Sequence, residues 1–155
     1  KDTFKWAEIV PISALNGNNI DLLEELLYKY LPEGEYLFPD EQYTLQSEKF
    51  YTAEIIREKI LHITRDEIPY TTSVKVEEID KKENVVYIRA EIYVETNSQK
   101  KILIGKKGNL VKNIGAAARK ELEEYFEFKV FLDLFIKVVP GWRNSIQVLQ
   151  EIEFY

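Results

Sequence analysis

The chain has 155 residues, of which 45% are hydrophobic and 31% are charged, and its formal net charge is −6. This length allows one ordinary domain, or one small domain with part of another. Because there is no cysteine, the composition excludes disulfides and thiolate metal sites, and with only one histidine, His62, we expect neither a zinc site nor a Ser-His-Asp arrangement.

Two further features bear on location and completeness. No apolar run approaches the ~20 residues that span a bilayer, and the N-terminus lacks a signal-peptide pattern. We therefore expect a cytoplasmic protein. Methionine is absent, even at position 1, which indicates a piece of a longer chain.

Residues 1–31 read as one strand, one loop and one helix. The apolar stretch 5–12 predicts a short strand, and a turn-rich loop follows it. Asn18 or Asn19 can cap a helix that ends before Pro32. Its apolar positions have helical spacing: Ile20, Leu23, Leu26, Leu27 and Tyr30. One strand and one helix cannot form a domain, so we interpret this part as the last βα unit of an α/β domain whose other strands are absent here.

The segment 32–47 reads as a linker between domains. It contains two prolines, a glycine and several acids, with no sustained period. Its apolar residues Tyr36, Leu37, Phe38 and Tyr43 predict that it is pinned to a neighbour and does not flex freely.

The rest of the chain alternates helical and strand patterns. Ser47 can cap a helix over about 48–64, and Val86 to Val94 alternate apolar with polar residues as a strand does. In order, we predict a strand over 73–79, a hairpin turn over 80–84, a strand over 85–94, a short helix over 100–104, a long helix from about 109, a strand over 128–139 and a last helix over 142–152. The long helix has an apolar face of Leu110, Val111, Ile114, Ala117, Ala118, Leu122 and Tyr125.

Two glycines separate the two middle helices. We expect Gly105 to adopt the positive φ that ends a helix, and Asn109 to cap the next one. No side chain stands at Gly105 or Gly108, so a polyanion backbone can lie directly on this turn. There it would meet N–H groups at the helix start and the ammonium groups of Lys106 and Lys107.

Positive charge is confined to the same part of the chain. Residues 96–120 contain seven basic residues and no acid, so they carry +7, and the remaining residues carry −13 to give the total of −6. The seven are Lys100, Lys101, Lys106, Lys107, Lys112, Arg119 and Lys120. An acidic protein with one positive segment is expected to bind a polyanion at one defined place.

This order of elements resembles the type II KH domain, an RNA-binding fold whose GXXG loop clamps about four nucleotides. A bare GXXG is weak evidence. Here an apolar residue precedes the first glycine, basic residues fill the loop, helices flank it, a hairpin comes before and a strand after. The resemblance implies an α+β fold, α-β-β-α-α-β, with a three-stranded sheet and helices on one face.

A longer set of sequence blocks is similar, in identity and order, to the C-terminal half of the Era family, Ras-like GTPases that carry a C-terminal KH domain. The blocks are 9–14, 31–32, 38–39, 54–59, 68–70, 104–108, 114–115, 118–120, 137–138 and 141–142. They run over essentially the whole chain. The resemblance implies that residues 1–31 are the C-terminal remnant of a Ras-like GTPase domain, 32–47 a linker and 48–155 a type II KH RNA-binding domain.

The same resemblance implies functions for the intact parent. Ser13, Ala14 and Leu15 would form its guanine-contacting loop, and it would be a GTPase that uses GTP and magnesium. The phosphate-binding loop, the magnesium-binding motif and the Asn-Lys-x-Asp motif have no counterpart here, so this chain alone is not expected to be an enzyme or to hold a cofactor. The implied partners are the tail of small-subunit ribosomal RNA, the small ribosomal subunit, whose assembly the parent would assist, and the missing GTPase domain. Membrane association has no support in the sequence.

The predicted RNA-binding residues lie on and beside the glycine loop. Lys106 and Lys107 would neutralise phosphates, the neighbouring lysines would extend the positive track, and an apolar groove between the middle helices and the adjoining strand would read bases. The full set is Lys100, Lys101, Ile104, Gly105, Lys106, Lys107, Gly108, Val111, Lys112 and Ile114. No catalytic residue or metal ligand is expected. Two alternatives stay open: a KH-fold module of another ribosome or transcription factor, or a degenerate KH domain used for protein contact.

Overall fold

The computed structural model describes residues 4–35 and 46–152. The chain divides into two compact units, Lys1–Tyr43 and Thr44–Tyr155. Most of the predicted linker, residues 36–45, lies outside the described residues. The prediction that its apolar side chains pin it to a neighbour concerns the same residues and stays a prediction.

The first unit contains helix α1, Ile20–Tyr30, at the predicted position. The predicted strand over 5–12 was wrong: that stretch is described without strand structure, and a single bridge joins Ser13 to Asn18. A strand needs a neighbouring strand to accept and donate its backbone hydrogen bonds, and the described residues of this unit offer none. Asn19 precedes α1 as predicted but does not cap it with its side chain, because its Nδ2 donates instead to the carbonyl of Pro11 at 2.8 Å.

The second unit has the predicted order α-β-β-α-α-β, followed by a short helix. Its elements are α2 (Glu48–Ile63), β1 (Ser73–Lys82), β2 (Val85–Val94), α3 (Asn97–Ile104), α4 (Asn109–Phe126), β3 (Lys129–Val138) and α5 (Ile146–Glu151). Ser47 caps α2 as predicted, because its side chain accepts a hydrogen bond from the backbone N–H of Phe50 at 3.1 Å.

The three strands form one sheet in the order β1-β2-β3. β1 and β2 are antiparallel and are joined by a tight turn, whereas β2 and β3 are parallel. The chain must therefore cross from the end of β2 to the start of β3, and α3 and α4 make that crossing. A bulge interrupts the β1–β2 register between Val76 and Glu78.

One face of the sheet carries the core. The alternating residues of β2 predicted to point one way are all buried, and the buried positions of α2 and α4 pack against them. The fully buried large side chains include Ile56, Ile60, Val86, Ile88, Ile92, Val94, Leu103, Ile114 and Leu122. The α+β class is thus confirmed, with α2 and α4 packed on one face of a three-stranded sheet. No helix in the described ranges is both long enough and apolar enough to cross a bilayer.

Three element boundaries differ from the prediction. β1 continues to Lys82, because residues 80–82 pair with 85–87 and leave only a two-residue turn. α3 starts at Asn97, because Thr96 and Gln99 form a reciprocal capping box. The last helix is divided by Ser145, which caps α5 after a short 3₁₀ turn at Trp142–Asn144.

The predicted apolar face of α4 is correct except at its end. Tyr125 is exposed, while Phe126 is buried in its place. The Tyr125 ring packs on the outside of the domain against Tyr51, with ring centroids 4.4 Å apart.

Residues after β3 are anchored to the opposite face of the sheet. Tyr93, Trp142 and Ile152 form a second small buried cluster, and burial raises the pKa of Tyr93 to about 12. The indole N–H of Trp142 donates to the carbonyl of Thr71 at 3.3 Å. Arg143 donates two hydrogen bonds to Glu95 at 3.1 and 2.8 Å, which holds the pKa of that carboxyl below its ordinary value.

Candidate nucleic-acid interface

The turn between α3 and α4 has a backbone that ordinary residues rarely adopt. Gly105 has φ 70° and ψ 179°, Lys107 has φ 55° and ψ 27°, and Gly108 has φ 76° and ψ 13°. The predicted positive φ at Gly105 is confirmed. The two glycines serve different purposes, because a Cβ at Gly105 would lie 2.6 Å from the Cβ of Leu110, whereas a Cβ at Gly108 would meet nothing within 4 Å.

The start of α4 is open to an anion. Gly108, and not Asn109 as predicted, occupies the N-cap position, and Asn109 is the first helical residue. No side chain caps this end of the helix and its first turn contains no acid. The positive end of the helix dipole therefore has no carboxylate or hydroxyl acceptor of its own nearby in sequence, and the missing Gly108 side chain leaves room for an approaching phosphate.

None of the seven cations of residues 96–120 has a carboxylate partner among the described residues, whereas most of the other described cations do. Of the 21 lysines and arginines, Lys1 lies outside the described residues and seven belong to this segment, which leaves thirteen elsewhere. Ten of those thirteen lie within 4.0 Å of a carboxylate oxygen. In residues 4–35 and 46–152, no carboxylate pairs with any of the seven. Their charge remains available to a ligand.

Most of the predicted RNA-binding residues keep solvent-exposed surface in the structure. Lys106 and Lys107 are exposed on the turn, Lys101 and Lys112 are exposed on the flanking helices, and Lys100 is half-buried. Ile104, Gly105, Gly108 and Val111 are also half-buried beside them. Ile114 differs, because it has no exposed surface and belongs to the core, so it supports this surface from beneath.

A groove lies between α4 and β3, and its lining begins at Val111, three residues after the turn. It has a volume of about 330 Å³, and its walls include Val111 and Lys112 of α4 and Leu132 and Leu134 of β3. One of the α4 residues that line the groove is Gly115, so no side chain fills the groove at that position. A Cβ at Gly115 would stand 3.4 Å from Leu134 Cδ1, so the helix lies close to the strand.

Sequence reasoning missed part of this groove. Ala116 and Arg119 of α4 line it together with the β3 leucines, but none of these was among the predicted site residues. A signal was present for Arg119, because it lies seven residues after Lys112, which is two turns further along the same helix face. The leucines carried no such signal, since their alternation predicts only a half-buried strand.

The predicted guanine-contacting loop belongs to the first unit. Ser13 is half-buried and its hydroxyl accepts a hydrogen bond from the backbone N–H of Asn16 at 3.4 Å. Ala14 and Leu15 are exposed. Among the described residues there is no group of three His, Asp or Glu side chains arranged to hold a metal ion.

Comparisons with known proteins agree with this fold. A family model described as "KH domain" matches residues 67–143, which run from the end of α2 past β3. GTPase Era of Syntrophus aciditrophicus (strain SB) is 47% identical over 156 residues, a stretch that covers 99% of this chain and 51% of that protein. The chain belongs to the Era family. It corresponds to the C-terminal portion of that family, as the order of its sequence blocks predicts.

Other relatives give the same result. GTPase Era of Halothermothrix orenii (strain H 168) is 47% identical over 138 residues, covering 88% of this chain and 47% of that protein. Aquifex aeolicus Era, in a variant bound to GDP and AlF4⁻, superposes with a TM-score of 0.91 at 44% identity, covering 95% of this chain and 50% of that one.

One solved Era structure was determined with RNA. Era in complex with MgGDPNP and nucleotides 1506–1542 of 16S ribosomal RNA superposes with the same TM-score, 0.91, at 44% identity, over 95% of this chain and 50% of that one. The chain thus spans about half the length of the Era proteins that it matches.

Proposed function

We propose that this chain binds single-stranded RNA through the turn at Gly105–Gly108, and that the RNA is the tail of small-subunit ribosomal RNA. The observation that carries the proposal is the segregation of unpaired cations around a turn without side chains at its two ends. The Era structure with 16S ribosomal RNA supports the choice of RNA, because that protein is 44% identical and has the same fold.

The turn would hold the sugar-phosphate backbone. Gly105 would allow the bend by leaving room for Leu110, Gly108 would leave open space for the strand at the main chain, and the exposed Lys106 and Lys107 between them would neutralise phosphates. The uncapped start of α4 adds a favourable dipole. These contacts would fix the position of the strand without reading its sequence.

The groove beside the turn would receive bases. Val111, Leu132 and Leu134 give it an apolar surface suited to the flat faces of unstacked bases. Lys100, Lys101 and Lys112 would extend the positive track along which the strand enters.

The remaining assignments follow from the Era family. Residues 1–31 would be the end of a Ras-like GTPase domain, 32–47 a linker and 48–155 the KH domain, with Ser13, Ala14 and Leu15 contacting guanine only in the intact protein. This chain alone would not hydrolyse GTP, because the phosphate-binding and base-specificity motifs lie outside it, whereas the intact parent would use GTP and magnesium in assembling the small subunit in the cytoplasm.

A charge reversal on the turn tests the proposal. Lys106→Asp with Lys107→Asp should weaken binding of a short single-stranded RNA from the ribosomal tail sharply and leave the circular dichroism spectrum unchanged, because both side chains are exposed and unpaired. If each lysine contacts one phosphate, the slope of log affinity against log salt should become shallower by about 1.4.

A matched control reverses two other lysines. Lys82 and Lys129 are exposed at the opposite end of the sheet, where Val85 pairs with each of them in register. Lys82→Asp with Lys129→Asp changes the net charge equally and should reduce RNA affinity far less. Equal losses in the two double variants would show a general charge effect and contradict the proposed site. Undiminished binding by the loop variant would favour protein contact as the function of this fold.

A further inference from the structure

Arg119 is an unpaired guanidinium at the end of the groove remote from the turn. It lines the same groove as Lys112, two helical turns away on α4, with Ala116 between them. The other arginines of the second unit are mostly occupied: Arg57, Arg89 and Arg143 are each within 4.0 Å of a carboxylate. In the described ranges no acid or hydrogen-bond acceptor holds Arg119, so its donors are available to a ligand.

The groove in front of Arg119 suits a base and not a phosphate. Leu132 and Leu134 of β3 form one wall, and Val111 and Ala116 contribute apolar surface from α4. A phosphate could pair with Lys112 or Arg119, which also line the groove, but against the leucine wall it would lose hydration and gain no partner, which is costly for a charged group. The flat face of a base gains from the same surface. A strand bound as proposed above would therefore place bases in this part of the groove, with their edges near Arg119.

A guanidinium discriminates between base edges because it has five N–H donors and no acceptor. Cytosine offers N3 and O2, and guanine offers N7 and O6, as two adjacent acceptors that match the fork. Adenine and uracil place an N–H donor beside each acceptor on the corresponding edges, so one arm of the fork would meet a donor.

We propose that Arg119 is a specificity-determining residue that selects a cytosine or guanine over adenine and uracil at the β3 end of the groove. This rests on the proposed binding of single-stranded RNA along the turn and groove. Lys112 and the loop lysines hold the backbone, and Arg119 supplies the sequence preference.

The test uses uridine-rich single-stranded RNAs that carry one cytosine, one guanine or one adenine in the middle. The unaltered chain should bind the cytosine or the guanine RNA roughly tenfold more tightly than the adenine RNA and the RNA of uridine alone. Arg119→Gln should abolish that ratio and leave affinity for the uridine RNA within about twofold. Arg119→Lys keeps the charge but lacks the planar fork, so it should also lose the ratio.

Lys120→Gln is the matched control. Lys120 is the exposed neighbour on α4, belongs to the same cationic segment and does not line the groove. This variant should lower all affinities alike and keep the ratio. Circular dichroism should confirm that all three variants are folded.

Each remaining outcome decides against one proposal. If Arg119→Gln and Arg119→Lys keep the base ratio of the unaltered chain, or if that chain shows no ratio, Arg119 does not select bases although RNA binding stands. If Arg119→Gln weakens all RNAs equally and the salt slope falls, the residue contacts phosphate and the inference is overturned. Failure of the unaltered chain to bind any of these RNAs or the ribosomal tail would overturn the proposed function itself.

Discussion

Replacing Gly105 by alanine should destabilise the fold more than replacing Gly108 does, because the two glycines of the turn have different surroundings. Gly105 combines φ 70° with ψ 179°, a region of backbone space that only glycine adopts readily. Its missing side chain also makes room for Leu110, since a Cβ there would lie 2.6 Å from the Leu110 Cβ and 3.0 Å from the Leu110 backbone nitrogen. Backbone atoms and a Cβ cannot rotate away, so the first turn of α4 would have to move.

Two penalties contribute to the expected loss. The backbone conformation costs an alanine about 1–3 kcal/mol, and the steric overlap costs about 1–3 kcal/mol as overpacking does elsewhere. We therefore expect Gly105→Ala to lower the free energy of unfolding by roughly 2–6 kcal/mol. Gly108 has φ 76° and ψ 13° with nothing within 4 Å of its would-be Cβ, so Gly108→Ala should cost only about 1–2 kcal/mol.

Urea unfolding followed by circular dichroism measures both variants under one condition. Gly108→Ala serves as the control, because it introduces the same methyl group three residues away on the same turn. RNA affinity should fall in both variants, because the Gly108→Ala methyl group projects into open space where the strand would lie, and the Gly105→Ala methyl group displaces the start of α4 through Leu110. The two should differ mainly in stability.

Two results would refute this reasoning. A Gly105→Ala variant as stable as the unaltered chain would show that the Leu110 contact can relax freely. Equal destabilisation by the two variants would show that positive φ alone accounts for the glycines.

Three further changes test other parts of the fold. Thr52→Val should raise the unfolding free energy by about 1 kcal/mol in a denaturant titration, because the buried Thr52 hydroxyl has no hydrogen-bond partner among the described residues; a loss of stability would reveal an acceptor. Leu122→Ala should cost about 2–5 kcal/mol by the same titration, since Leu122 has no exposed surface, and a cost under 1 kcal/mol would contradict its core position. Arg143 lowers the pKa of Glu95, so their pairing should stabilise the fold above about pH 4.5 and weaken as pH falls through the lower folded-state pKa; melting curves of Glu95→Gln should therefore change less between neutral and acid pH, and an unchanged profile would exclude this contribution.

Local sequence patterns predicted those elements whose hydrogen bonds and burial depend on residues close by in the sequence. β2 alternates apolar and polar residues, and its predicted bounds agree with the structure. Ser47 was recognisable as a cap because its acceptor lies three residues before the N–H that it binds. The glycine pair likewise indicated a turn with positive φ.

Sequence patterns failed where residues distant in the sequence determine the local structure. Residues 80–82 are polar and look like a turn, yet pairing with 85–87 extends β1 through them. The stretch 5–12 has a strand's composition but no strand beside it among the described residues. The difference between Gly105 and Gly108 depends on where Leu110 packs, and the groove depends on β3 lying against α4, so neither could be predicted from spacing alone.

The parallel pairing of β2 with β3 has a consequence for the glycine turn. The turn lies on the only covalent connection between those strands within the described part of the second unit, so the sheet helps to fix where the two flanking helices stand. A peptide carrying α3, the turn and α4 without the strands would keep the lysines and lose the rigid frame that spaces them. The affinity of this surface is thus a property of the assembled domain, and transplanting the tetrapeptide into another protein would not carry it along.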